Sequence, residues 1–68
     1  MSLYTAIVNK EGNLYVALCP EVGTASQAET IEGAVANLKE ATELYLEEFP
    51  MEQQNRPLMT TFEVSAHA

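Results

Sequence analysis

Thr30-Ile31-Glu32-Gly33-Ala34-Val35-Ala36-Asn37-Leu38-Lys39-Glu40-Ala41-Thr42-Glu43-Leu44-Tyr45-Leu46-Glu47-Glu48-Phe49-Pro50 is the stretch that sets the fold. Apolar residues recur at Ile31, Ala34, Val35, Leu38, Ala41, Tyr45 and Phe49, which is helical spacing. Thr30 suits the N-cap, because its hydroxyl can accept from a free N–H of the first turn. Gly33 stands three residues on, where a glutamate would complete a capping box. Pro50 ends the run, since it lacks an N–H and restricts the residue before it. The spacing predicts a helix over Ile31–Glu48, about 27 Å long at about 1.5 Å per residue.

Upstream, residues 3–8 and 14–18 are rich in strand formers. Between them Asn9-Lys10-Glu11-Gly12-Asn13 is polar, with Gly12 able to supply a positive φ, so a hairpin is expected. Cys19-Pro20-Glu21-Val22-Gly23 breaks the second strand, and residues 24–27 read as a short third. Downstream, residues 51–57 form a polar connection. Residues 58–64 are β-prone again, with Thr60, Phe62 and Val64 on one side, and residues 65–68 read as a frayed tail. The order β-β-β-α-β predicts one α+β domain over residues 1–64. Three strands form an antiparallel meander and the helix covers one face. A fourth strand then returns parallel to the first, in the spatial order 3-2-1-4 that a right-handed crossover allows.

One face of that sheet stays open. The first strand alternates Leu3, Thr5, Ile7 against Tyr4, Ala6, Val8; the second alternates Leu14, Val16, Leu18 against Tyr15, Ala17, Cys19. The larger aliphatic set of the second strand is expected to face the helix. The other set is not polar, as a solvated face would be. Tyr4, Ala6, Tyr15 and Ala17 are therefore candidate partner contacts; the plainer reading is that loops or the tail cover them.

At 68 residues the chain has room for one domain with a modest core. Its single cysteine, Cys19, cannot form an internal disulfide, and no Cys/His cluster offers a metal site. Self-association, as a dimer or larger homo-oligomer, or a permanent partner is the remaining source of stability. Ten acidic and three basic residues give a net charge of −7. Lys10, Lys39 and Arg56 are scattered, so direct nucleic-acid binding is disfavoured and a basic protein partner is electrostatically favoured; the plainer reading of the charge is that it keeps a small domain in solution. No apolar stretch approaches the roughly 20 residues that cross a bilayer, and no signal peptide is evident. With one free thiol, a cytoplasmic location is expected.

No residue constellation argues for an enzyme or a cofactor. A Cys19–His67 pair would need proximity that nothing in the pattern supplies. The first strand carries no carboxylate and Glu63 has no evident partner, so metal-dependent hydrolysis is not expected. On the helix, Glu32, Lys39, Glu40, Glu43 and Glu47 share one face. Glu43 and Glu47 repel one turn apart, and Glu47 and Glu48 oppose the helix dipole. That placement suggests an acidic surface for a basic partner, with Glu40, Glu43 and Glu47 as contacts; the plainer reading is a solvated surface. Leu44 falls outside the main apolar stripe.

The run Ala17-Leu18-Cys19-Pro20-Glu21, then Ser26, then Thr30 to Ala41, resembles the HicB-like antitoxin family. In that family a strand ends in a Cys/Pro/Glu loop, and the helix carries an alanine, an asparagine and a Glu-Ala pair. Tyr4-Thr5-Ala6-Ile7-Val8 also fits its first strand, so the resemblance spans about residues 4–49. Ala28 stands where the family usually has glycine, and Gly33 replaces the usual glutamate. Many relatives continue into a helix-turn-helix or ribbon-helix-helix module that binds operator DNA, and no such module is expected here. The resemblance implies a truncated ribonuclease-H-like sheet that covers a small basic HicA-type toxin. Such a toxin has a double-stranded-RNA-binding fold and cleaves mRNA with its own histidine. It adds Pro20 and Glu21 to the candidate contacts. A self-associating domain without a toxin is the alternative.

Overall fold

The computed structural model describes residues 3–51 and 58–65. Its elements are β1 (Ile7–Glu11), β2 (Leu14–Cys19), β3 (Thr24–Ala28) and α1 (Ile31–Glu48). The three strands form one antiparallel sheet in the order β1-β2-β3, and α1 packs on one side of it. The α+β class and the expected helix are both present. Most of the expected connection, at 52–57, and the end of the expected tail, at 66–68, lie outside the described residues; so do Arg56 and His67.

The hairpin is tighter than the sequence suggests. Glu11 pairs with Leu14, so Lys10 and Glu11 belong to β1 and only Gly12 and Asn13 turn the chain. Gly12 has φ +61° while Asn13 does not go positive, the pattern of a type II′ turn, whose twist suits flanking strands. β1 also begins later than expected. Ala6 falls opposite Cys19, the last residue of β2, and residues 3–5 run beyond it against the turn at 20–23, where the Glu21 carboxylate takes the Thr5 N–H. Residues 58–65 adopt no strand, and among the described residues the sheet has three.

The covered face is the opposite of the one expected. Ala17 is 0% exposed and Cys19 is 1% exposed, and with Ala34 and Leu38 they form the core. Tyr4, Ala6, Val8, Tyr15, Val22 and Ala28 pack around them. Leu18, from the larger aliphatic set, is 42% exposed on the other face. The reason is steric: alanine and cysteine let a helix approach a sheet closely, whereas a Leu/Val/Leu row would hold it away. On α1 the buried line is Ala34, Leu38 and Thr42, and Ile31 and Phe49 at its ends stay exposed.

Thr30 caps the helix as its sequence predicts, its Oγ1 accepting from the Gly33 N–H at 2.9 Å. At the other end the Phe49 N–H donates to the Tyr45 carbonyl at 2.8 Å. The Tyr45 and Phe49 rings meet there at 5.0 Å between centroids.

Candidate partner-binding surface

Three groups of candidate residues occupy different parts of the molecule. Tyr4, Ala6, Tyr15 and Ala17 lie on the helix-covered face, where Ala17 is fully enclosed. They build the core and do not line the open face, which corrects their assignment as an exposed sheet surface. Strand register places Ile7, Leu14, Val16, Leu18 and Ala25 on the open side instead. Lys10, on the covered side, sets its ammonium 5.9 Å from the centre of the Tyr15 ring, within cation–π range.

Pro20 is exposed at the β2–β3 turn, which closes with the Gly23 N–H on the Cys19 carbonyl at 2.7 Å and with Gly23 at φ +93°. Glu21 turns back to hold the N-terminal segment. Its Oε2 accepts from the Thr5 N–H at 2.9 Å and from the Thr5 hydroxyl at 2.7 Å. Its Oε1 accepts from the Cys19 thiol at 3.4 Å. Partial burial works to raise the Glu21 pKa, but the Thr5 and Cys19 donors outweigh it and hold the carboxyl below its ordinary value. The Cys19 thiol shifts the other way, pushed up by burial and by its bond to the Glu21 carboxylate. A buried thiol held in its neutral form is a poor nucleophile.

The acidic residues of α1 are displayed to solvent. Glu32, Glu40, Glu43 and Glu47 are all exposed, and the last turn carries no basic residue. Lys39 donates to Glu43 at 2.8 Å, an exposed pair one turn apart. Such a pair is worth a few tenths of a kcal/mol at most, so Glu43 has a local partner that the sequence reading did not give it. Leu44 is also exposed, away from the buried line.

Two links between α1 and the sheet escaped the sequence reading. The hydroxyls of Thr24 and Thr42 meet at 2.6 Å, satisfying a polar group inside the interface. Thr42 falls one turn after Leu38, so its signal is positional, and its polarity hid it. Asn37 Nδ2 donates to the Gln27 carbonyl at 3.2 Å, tying the helix to the edge of β3. Glu21 and Asn37, both part of the quoted resemblance, thus have structural duties.

Between residues 3–6 and α1 runs a groove of about 360 Å³, lined mainly by apolar groups that include Leu3, Tyr4, Ala6, Val35, Leu38 and Leu46. Among the described residues no group of three or more His, Cys, Asp or Glu is placed to hold a metal ion. No described helix is long and apolar enough to cross a membrane.

No family model matches the chain, and no solved structure matches it. It is similar to the curated UPF0150 protein ssr1765 of Synechocystis sp., at 43% identity over 56 residues, which is 79% of this chain and 71% of the relative. A match of that identity, running through most of both chains, makes this chain a member of the UPF0150 family.

Proposed function

We propose that this chain is a non-catalytic, cytoplasmic binding domain that neutralises a small, basic, mRNA-cleaving toxin by covering it. The observation that carries this reading is the exposed acidic surface of α1, where Glu32, Glu40, Glu43 and Glu47 face solvent around one lysine. A helix gains nothing locally from acids in its last turn, whereas a basic RNA-binding surface would be attracted and screened by them. The Cys19-Pro20-Glu21 turn and the helix that follows supply the likeness to HicB-type antitoxins.

The test is co-expression with a neighbouring gene that encodes a basic polypeptide of similar size. Growth arrest by that gene alone, relieved by this chain, supports the reading. Arrest that this chain leaves unchanged, or a neighbour with no effect on growth, counts against it.

Residues 58–64 complete the fold in this reading. They form a fourth strand beside β1 and parallel to it, giving the order 3-2-1-4 of a truncated ribonuclease-H-like sheet. The second reading is a self-associating domain without a toxin. It is favoured by the exposure of Leu58, Met59, Phe62 and Val64, since large apolar groups seldom stay bare together.

A further inference from the structure

We propose that residues 58–64 of one copy fill the groove between residues 3–6 and α1 of a second copy, in a reciprocal two-fold exchange. The proposal deepens the fourth strand just described and rests on it: the strand exists, and it comes from the other chain.

The socket has both features that a strand requires. The outer edge of β1 has no strand partner among the described residues. The Thr5 N–H points inward to Glu21, so the alternation of an extended chain turns the N–H and C=O of Tyr4 and Ala6 outward. Beside that edge lies the apolar groove, with Val35 still 38% exposed along its wall. A strand seated there would add a ladder along Tyr4 and Ala6, where the sequence has strand character and the structure assigns no strand.

The plug is equally specific. Leu58 and Phe62 are 92% and 85% exposed, and they fall on one side of a chain that alternates every second residue. Residues 58–65 carry one charge, Glu63, so this segment can approach another acidic copy with little repulsion. The groove wall carries Lys39 beside Glu43, already ion-paired with each other, so it adds little net charge opposite Glu63. Area favours a second copy as the occupant. Leu58, Phe62 and Val64 share that side and count twice in a reciprocal exchange, and the groove surface they cover counts again on each copy, which moves the contact toward the roughly 1,000 Å² that a specific interface clears. Exchange of an identical element is a low-cost route to a closed dimer.

The experiment uses full-length chains in a Cys19→Ala background, one carrying Val35→Cys and the other Phe62→Cys. Mixed and mildly oxidised, the two single variants are expected to give a cross-linked heterodimer on a non-reducing gel. The double variant is expected to cross-link between chains at micromolar concentration. A double variant that closes its disulfide within one chain overturns the exchange while leaving the fourth strand standing. Absence of cross-linking in both samples overturns the exchange and the fourth strand together. Sedimentation of the unaltered chain reports separately: a dimer that Phe62→Glu converts to monomer supports the exchange, and an unaltered chain that is monomeric at tens of micromolar overturns it.

Discussion

A Cβ placed on Gly33 would lie 3.1 Å from the Cβ of Ala28 and 2.9 Å from the Thr30 Oγ1. The end of β3 and the first turn of α1 therefore share a space that holds one methyl group, and Ala28 already supplies it. Ala28 and Gly33, the two positions where the likeness to HicB-type chains departs, thus fill one space between them.

That relationship predicts non-additive stability. Gly33→Ala should gain about 1 kcal/mol of helix propensity but lose more through crowding, which costs about 1–3 kcal/mol in packed sites. Net destabilisation by urea melts is expected, and a smaller effect of the same change in an Ala28→Gly background. A coupling near zero in the double-mutant cycle would remove the shared-space account.

Glu21 predicts an acid-sensitive clamp. Its carboxyl pKa is lowered in the folded chain, so its contribution is present above the unfolded value of about 4.3 and is lost as pH falls through the lower folded value. Glu21→Gln should destabilise by about 1–3 kcal/mol near neutrality, in the range for hydrogen bonds to a charged group. The gap between wild type and variant should close below about pH 4. A gap that stays constant from pH 7 to pH 3 would mean that the charge plays no part.

Cys19 predicts the opposite pH dependence. Its pKa is raised in the folded state, so its contribution is complete below the unfolded thiol value of about 8.5 and declines as pH rises through the folded value. Stability should therefore fall in alkali, and less so in Cys19→Ala. Iodoacetamide should modify the native thiol far more slowly than the thiol in urea; equal rates would show that the thiol is accessible.

The two sheet faces predict contrasting tolerance. Ala17→Asp would bury a charge in a fully enclosed site and should prevent folding, because an unpaired buried carboxylate costs several kcal/mol. Leu18→Asp, on the open face, should change the melting point by only a few degrees. Circular dichroism distinguishes the two, and equal damage from both would refute the face assignment.

These faces also show what a sequence can disclose. The helix was legible end to end, because the Thr30 cap, the apolar spacing and Pro50 act locally. Which way β2 faces was not. Tyr15-Ala17-Cys19 and Leu14-Val16-Leu18 are both apolar, and the choice rests on how closely α1 approaches, which is a tertiary matter. Likewise β1 begins later than its composition suggests, because residues 3–5 do not reveal that β2 ends at Cys19, opposite Ala6. Of the candidate contacts, Glu40, Glu43 and Glu47 could be recognised as a helix surface from spacing alone. Glu21 could not be seen as a clamp on Thr5, since the bond spans 16 residues of sequence.

The acidic surface of α1 predicts a salt-sensitive complex. Replacing Glu40, Glu43 and Glu47 with Gln should weaken binding of a basic toxin by ten-fold or more at low salt, mainly through slower association. The deficit should shrink as ionic strength rises. Titration calorimetry at two salt concentrations is the measurement, and unchanged affinity at both would eliminate the acidic face as the contact.

Charge in this molecule is sorted by side. The outer surface of α1 bears Glu32, Lys39, Glu40, Glu43 and Glu47, while the open sheet side carries Ile7, Leu14, Val16, Leu18 and Ala25 with the uncharged Asn9 and Gln27 among them and Glu11 at its margin. Contacts to the two sides would therefore answer to different solvents: added electrolyte weakens attraction to the helix side, whereas adsorption of the sheet side to an apolar matrix strengthens in sulfate and weakens on chilling.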